Sequence, residues 1–253
     1  MRVRKAGSLK GAYYNEFDAF AAAWLRELIK DGLIAPGDVD ERSIVDVCAD
    51  DLRGYDQHHF FAGIGGWSYA LRLAGWDDER AVWTGSCPCQ PFSSAGQQRG
   101  HADSRHLWPA FHALIAECKP PTVFGEQVAS KLGREWLSAV RADLEDLGYA
   151  CGAADLPAVA FGSLHRRHRL WFVADARKSH VPRSEQTEPS IAGWVKASSA
   201  QQCNDSVCSQ IFDSADSCPS LWPDGFPNPV GPVRCFGNAI VPQVASEFIK
   251  AAA

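Results

Sequence analysis

The sequence predicts a doubly wound α/β fold, in which helices cover a mostly parallel sheet that carries a small irregular insert. Three observations support this prediction. Short apolar segments typical of strands alternate with helical patterns between residues 57 and 174. A glycine turn at residues 63–66 falls between a strand and a helix, where the backbone can approach a ligand closely. After residue 175 the pattern is lost, and Ser, Gln, Asn, Asp and Pro dominate residues 176–233.

The individual elements follow from hydrophobic periodicity. Residues 17–31 place apolar side chains at helical spacing, and Gly32 follows them as a stop signal. Further helices are predicted at about 67–74, 107–118, 131–147 and 241–253. Strands are predicted at 57–62, 81–86, 121–125 and 169–174.

Composition narrows the class of protein but leaves its function open. An apolar content of 46% in 253 residues can bury one good core. Because no apolar run approaches the roughly 20 residues that a membrane span needs, we expect no membrane association. Nine irregularly spaced cysteines favour free thiols in a reducing cytoplasm. The net charge of -5 argues against a protein that coats nucleic acid by bulk charge, although a local basic cleft remains compatible with it.

Cys89 is the sharpest chemical signal. It follows Pro88 just beyond a predicted strand, where open α/β sheets place their ligands. A thiolate there could act as a nucleophile if positive charge or a dipole lowered its pKa. A buried thiol, or a metal site shared with Cys87, is the alternative interpretation. Zinc is disfavoured because His101 and His106 lie at no common ligand spacing, so no metal is expected.

Two further segments converge on Cys89. Glu126 ends the next predicted strand, and its carboxylate is expected to point into the same crevice. His165, Arg167 and Arg169 alternate at strand spacing, so their side chains are expected to share one face. A solvated carboxylate and a charged, exposed strand are the simpler interpretations of these features. The glycine turn also has a simpler interpretation, since many such turns only pack a helix on a sheet.

Together these segments resemble the cytosine-C5 DNA methyltransferase family. The resemblance rests on five motifs in the family's order, and it covers most of residues 12–175 and 226–253. Gln127 stands where the family usually has asparagine, and His165 where it usually has glutamine. The motif segments are FAGIGG at 61–66, PCQPFS at 88–93, EQV at 126–128, HRRHR at 165–169 and GNAIVP at 237–242.

The resemblance implies the chemistry. Cys89 would add to C6 of a cytosine while Glu126 protonates or hydrogen-bonds N3, and Arg167 and Arg169 would hold the base. C5 would then accept a methyl group from S-adenosylmethionine (SAM). The target base must leave the duplex to reach Cys89, so base flipping is implied. The cofactor contacts implied by the family are Phe61, Gly63, Ile64, Gly65, Gly66, Pro88, Asn238 and Ala239.

The order of the cofactor motifs departs from the family. Only 22 residues separate Gly66 from Cys89, although the family places two more strand units there. The missing units resemble segments upstream, so we infer a circularly rearranged order. Glu16 would bind the ribose, Phe17 would lie beside the adenine, and Asp38 would meet its amino group, with Val39 as a further cofactor contact. The alternative is that residues 1–56 form an unrelated helical cap.

The resemblance also implies an organisation of the chain. Residues 1–175 would form the catalytic and SAM-binding domain, 176–233 a small target-recognition region, and 234–253 a segment that returns to the catalytic domain. We expect a cytoplasmic monomer that acts on double-stranded DNA. An RNA cytosine-C5 methyltransferase and a catalytically weak DNA-binding relative remain the alternatives.

Overall fold

A computed structural model of the 253-residue chain describes residues 11–88, 107–163, 166–177 and 239–253. Their centre is a seven-stranded sheet with the order β2-β1-β3-β4-β5-β7-β6. The first five strands of this order are parallel, and β7 is antiparallel to both β5 and β6. The strands are β1 (Ala12–Asn15), β2 (Gly37–Asp40), β3 (Gln57–Phe60), β4 (Val82–Gly85), β5 (Thr122–Val128), β6 (Ala150–Pro157) and β7 (His168–Asp175).

Five α-helices accompany the sheet in the described residues, and short 3-10 turns lie at Ile44–Asp46, Ala49–Leu52 and Ala158–Phe161. The first helix begins two residues later than the sequence predicts, because the Asp18 side chain accepts hydrogen bonds from the backbone N–H groups of Phe20 and Ala21 and caps it. The helices are α1 (Ala19–Lys30), α2 (Gly66–Leu73), α3 (Leu107–Cys118), α4 (Lys131–Asp146) and α5 (Pro242–Ala252).

Helices lie on both faces of the sheet, so the prediction of a doubly wound α/β fold is confirmed. On one face, α3 and α4 pack over an aromatic core that includes Phe60, Trp83 and Phe172. On the other face, α2 and α5 cover Phe124 and Trp171, and α1 covers a separate small cluster. Alternation of side chains along each strand supplies both cores, as expected for a sheet buried on both sides.

The strands β1 and β2 belong to the central sheet, which excludes an unrelated helical cap for residues 11–56. Strand β1 lies between β2 and the glycine strand β3, in register with both. The chain therefore leaves β2, crosses over β1 and enters the sheet again at β3. The carboxyl ends of β1, β3, β4 and β5 meet at one edge of the sheet, where open α/β folds bind ligands.

Candidate active site

Glu126 and Arg169 form the centre of the site. Glu126 lies in β5 and is only 7% exposed, and its Oε1 is 2.7 Å from the Nε of Arg169. Arg169 reaches it because β7 runs antiparallel to β5, which brings the start of β7 to the end of β5. The structure thus brings together the acid and one of the two arginines that the sequence singled out.

The electrostatics of Glu126 reflect two opposing influences. Burial raises the pKa of this carboxyl above its usual range, while the charges of Arg169 and Arg167 and a hydrogen bond with Ser86 lower it. Burial wins, so the net direction is upward. A carboxyl in this setting can hold a proton at a pH where an exposed glutamate is ionised, which is the property that a general acid needs.

Arg167 does not lie in a strand, as the alternation of residues 165, 167 and 169 had predicted. Strand β7 begins at His168, and Arg167 precedes it with a left-handed φ of 29°. The expectation that residues 165, 167 and 169 share one strand face is therefore wrong for Arg167, and His165 lies outside the described residues. The Arg167 Nη2 donates a hydrogen bond to the Ala239 carbonyl at 2.5 Å, which ties this arginine to the segment before α5.

The segment after β4 leads toward the predicted nucleophile. The Cys87 thiol is buried, and burial raises its pKa, so Cys87 is suited to packing rather than to nucleophilic attack. The Cys87 carbonyl accepts a hydrogen bond of 3.3 Å from Gln127 Nε2, which fixes the backbone there. Pro88 follows and is exposed, and Cys89 lies directly beyond the described residues. The departure from asparagine at position 127 therefore keeps a side-chain amide that holds this segment.

The glycine turn lies at the carboxyl end of β3. Phe61 and Gly63 both have positive φ angles, and Gly65 is the left-handed cap of α2. A Cβ at Gly66 would come within 2.7 Å of Ile240 Cγ1, so this glycine lets the segment before α5 lie against the turn. A Cβ at Gly63 would meet nothing within 4 Å, which leaves open space beside that backbone. Ile64 completes the turn between these glycines.

Glu16 extends from the end of β1 to the glycine turn. Its Oε2 accepts a 2.6 Å hydrogen bond from the Gly63 backbone N–H, and its Oε1 accepts one of 2.9 Å from Asp18. Burial raises the pKa of Glu16, and both backbone hydrogen bonds oppose that rise. The next residue, Phe17, leaves 75% of its surface exposed at the same edge. The upstream acidic residue and the glycine turn are thus in direct contact, although 47 residues separate them in sequence.

Asp38 lies inside β2, in register with Tyr13 of β1. Its carboxylate accepts a 2.7 Å hydrogen bond from the Tyr55 hydroxyl, and Val39 packs on the opposite face against the α1 cluster. The carboxylate that ends the strand belongs to Asp40. Tyr55 and Asp40 were not predicted as site residues from the sequence, although alternation along β2 places Asp38 and Asp40 on one face.

Two other residues that were not predicted from the sequence are linked to Glu126 by hydrogen bonds. Trp67, in the first turn of α2, donates a hydrogen bond from Nε1 to the Ser86 hydroxyl oxygen at 3.0 Å. Ser86 in turn hydrogen-bonds with the Glu126 side chain. The signal that could have found Ser86 is its place directly after β4, since the residue after each parallel strand lies at the ligand-binding edge.

A family model for C-5 cytosine-specific DNA methylase matches residues 77–207, just over half of the 253-residue chain. The chain belongs to this family. The match includes the segment that carries Cys89, Glu126, Arg167 and Arg169, and it extends into the region after residue 177 that the structure does not describe. The resemblance inferred from the motifs is thereby confirmed.

Curated relatives of the chain are Type II methyltransferases. It is 37% identical over 106 residues to M.AplI of Arthrospira platensis, covering 41% of this chain and 31% of the relative. It is 32% identical over 135 residues to M.AluI of Cellulosimicrobium cellulans, covering 47% of this chain and 26% of the relative. The matched stretches thus span about a quarter to a third of these relatives.

Among solved structures, the chain is similar to a crystal structure of Spodoptera frugiperda DNMT2, with a TM-score of 0.48 and 11% identity. That likeness covers 70% of this chain and 45% of the other. In the part of the chain that the structure describes, no helix combines the length and apolarity needed to cross a membrane. The same residues contain no group of three or more His, Cys, Asp and Glu side chains placed to hold a metal ion.

Proposed function

We propose that this protein is a DNA (cytosine-5-)-methyltransferase that uses SAM to methylate C5 of a cytosine flipped out of duplex DNA. The observation that carries the proposal is the buried Glu126, paired with Arg169 at the sheet edge where β4 leads into Pro88 and Cys89. A carboxyl of raised pKa beside a cationic group suits an acid that must bond to a neutral base in a closed site.

The residues of the glycine turn fit SAM. Gly63 has open space beside it, Glu16 holds a carboxylate against that glycine, and the exposed Phe17 ring lies one residue further on. Each Glu16 oxygen has a lone pair beyond its backbone hydrogen bond, so the carboxylate can also accept from ribose hydroxyls. When bound, SAM supplies an electrophilic methyl group. Asp38 and Val39 would complete the adenine end of this pocket, and Phe61, Ile64, Pro88, Asn238 and Ala239 would line the remainder.

The proposed chemistry gives each side chain a separate task. Cys89 adds as a thiolate to C6 of cytosine, and Glu126 donates a hydrogen bond or proton to N3. This addition makes C5 electron-rich enough to be methylated. Loss of the C5 proton to solvent then restores the C5–C6 double bond and expels the thiolate, and Glu126 regains any proton that it gave to N3. Arg169 and Arg167 hold the base and the carboxyl of Glu126 in place.

DNA is the substrate class that the comparisons favour. The family model is described as a DNA methylase and the relatives are Type II methyltransferases, which supports DNA over RNA as the substrate. Cytosine C6 is inaccessible to a side chain inside a stacked duplex, so flipping of the target base follows from the proposed addition. Residues 176–233 would supply the contacts that choose the site, and this domain assignment stays a prediction.

The test combines methyl transfer with covalent trapping. Purified protein is incubated with labelled SAM and either duplex DNA or tRNA, and incorporated label is counted. DNA containing 5-fluorocytosine should trap a covalent complex, because fluorine at C5 cannot leave as the proton does. Cys89→Ser should abolish trapping, whereas Cys48→Ser, at an exposed thiol, should leave it intact.

The outcomes separate the candidate functions. Label in DNA together with trapping through Cys89 supports the proposal. Label in tRNA alone would replace it with an RNA methyltransferase, and no label in either substrate would favour a DNA-binding relative. Bisulfite sequencing of DNA from cells that express the protein would then identify the methylated site.

A further inference from the structure

Ser86 occupies a position next to the acid that the methyltransfer chemistry above does not use. We propose that Ser86 is a positioning residue for Glu126 and that the indole N–H of Trp67 fixes the direction of its hydroxyl. This inference rests on the proposed function in one respect, namely that Glu126 is the group that bonds to cytosine N3.

The register of the sheet places Ser86 beside Glu126. Gly85 of β4 pairs with Gly125 of β5, and Ser86 and Glu126 are the residues that follow this pair on the two parallel strands. Ser86 and Glu126 therefore lie side by side at the ligand-binding edge of the sheet. A hydrogen bond joins the two side chains there.

The donors and acceptors of the three side chains fix the direction of these hydrogen bonds. An indole N–H can only donate, so the Ser86 oxygen must accept the 3.0 Å bond from Trp67 Nε1. A serine hydroxyl carries a single hydrogen, and that hydrogen is then left for the Glu126 carboxyl. Trp67 thus directs the hydroxyl of Ser86 toward the acid.

Trp67 is held firmly enough to perform this task. Its side chain is 3% exposed, its ring stacks on Phe124 with centroids 6.1 Å apart, and Trp171 packs edge-on at 5.5 Å. It also lies in the first turn of α2, directly after the glycine turn. The helix that follows the glycine turn is therefore connected to Glu126 through two hydrogen bonds, from Trp67 to Ser86 and from Ser86 to Glu126.

The consequence for the acid is a carboxyl held by two side-chain donors. Arg169 donates to Oε1, and Ser86 supplies a neutral donor. A hydrogen bond to the ionised form stabilises that form, so Ser86 lowers the pKa of Glu126 against the rise caused by burial. Ser86 therefore limits the rise in the Glu126 pKa that burial causes.

The first measurement is a titration that does not depend on catalysis. The carboxyl of Glu126 is followed by NMR of protein labelled with ¹³C at the glutamate carboxyl, and its signal is assigned by its absence in Glu126→Gln. Ser86→Ala should raise the pKa of Glu126 by about one pH unit, the equivalent of one lost hydrogen bond. Ser86→Thr retains the hydroxyl and should restore the wild-type titration.

The second measurement is the pH profile of kcat/KM for methyl transfer to DNA. The active form of Glu126 is protonated, so the alkaline limb of the profile should move upward by the same roughly one pH unit in Ser86→Ala. Trp67→Phe removes the N–H that directs Ser86 and also leaves a small cavity in the core, so its thermal unfolding is measured alongside. We expect its pH profile to shift in the same direction as that of Ser86→Ala, but by less.

The two proposals can fail separately. An unchanged titration in both Ser86→Ala and Trp67→Phe, with wild-type thermal unfolding, would overturn the role of Ser86. A wild-type protein that transfers no methyl group at any pH would overturn the proposed function, while the NMR titration would still decide whether Ser86 controls the acid. If Ser86→Ala unfolds, Trp67→Phe carries the test through the same titration.

Discussion

Two glutamates, the half-buried Glu16 and the buried Glu126, lie at the same edge of the sheet and are held in different ways. Glu16, in the half formed by β2, β1 and β3, is held by backbone N–H groups of Gly63 and Asp18. Glu126, in the half formed by β4, β5 and β7, is held by the side chains of Arg169 and Ser86. We refer to these parts as the cofactor half and the base half.

The difference matches the two tasks proposed for these carboxyls. Backbone dipoles stabilise a carboxylate without adding a full positive charge, and an ionised Glu16 is what ribose hydroxyls need as an acceptor. Side-chain donors can be varied by substitution, and Arg169 and Ser86 hold a group that must exchange a proton. Under the proposed function, Glu16 would act as an acceptor and Glu126 as an acid at the same edge of the sheet, and the groups that hydrogen-bond to each carboxyl account for the difference.

The largest effect should come from Glu126→Gln, which removes the exchangeable proton from the base half and nearly preserves the shape of the side chain. We expect methyl transfer to fall by about 10²–10⁴-fold, the usual contribution of a general acid. The affinity for SAM, measured by calorimetry, should stay at the wild-type value because the cofactor half is untouched. Loss of SAM binding together with activity would show that the two halves are not separable.

The next effect should come from Glu16→Gln, which removes a charged acceptor from the cofactor half. Hydrogen bonds to a charged group contribute about 1.5–3 kcal/mol, so the Kd for SAM should rise by roughly 10–100-fold. The rate at saturating SAM should change little. Glu41→Gln is the matched control, because Glu41 pairs only with Arg26 at the surface among the contacts described. Unchanged SAM affinity in Glu16→Gln would overturn the rearranged cofactor site.

The same division shows how far sequence reasoning reaches. In the base half, each signal is local: Glu126 and the segment through Pro88 follow predicted strands, and the strands lie where periodicity put them. In the cofactor half, the contact between Glu16 and Gly63 depends on a crossover from β2 over β1 to β3. No local pattern encodes that crossover, and only the displaced motif order pointed to it.

In both halves, the pairing of individual side chains could not be predicted from the sequence. The Ser86 hydroxyl meets Glu126 only because Gly85 and Gly125 are in register, and register between parallel strands is set by packing of the whole sheet. The left-handed backbone at Arg167 also broke the alternation on which its placement was predicted.

A third prediction concerns packing in the base half. A Cβ at Gly125 would come within 2.2 Å of the Phe172 ring, which covers this strand next to the acid. Gly125→Ala should therefore lower the free energy of unfolding by about 1–3 kcal/mol, measured by urea denaturation. Gly152→Ala is the control, because its Cβ would lie 3.5 Å from Val173, an ordinary contact in β6. Equal losses in both variants would mean that Phe172 yields without cost.

The smallest effect should distinguish the halves by their response to acid. His58 of β3 lies in the cofactor half among Tyr13, Tyr55 and Trp83, and burial lowers its pKa to about 4. In the unfolded chain a histidine titrates near 6.5, so between these values the unfolded state binds a proton that the folded state does not. Stability must therefore fall as the pH drops below 6.5.

The expected contribution of His58 is about 1.4 kcal/mol between pH 7.5 and 5.5. His58→Gln removes the titrating ring. The loss of unfolding free energy between pH 7.5 and 5.5 should therefore be smaller in this variant than in the wild type by about 1.4 kcal/mol. His168→Gln, at an exposed ring in the base half, controls for the loss of one histidine. If both variants kept the wild-type pH dependence, the acid sensitivity of the fold would not lie in the ring of His58.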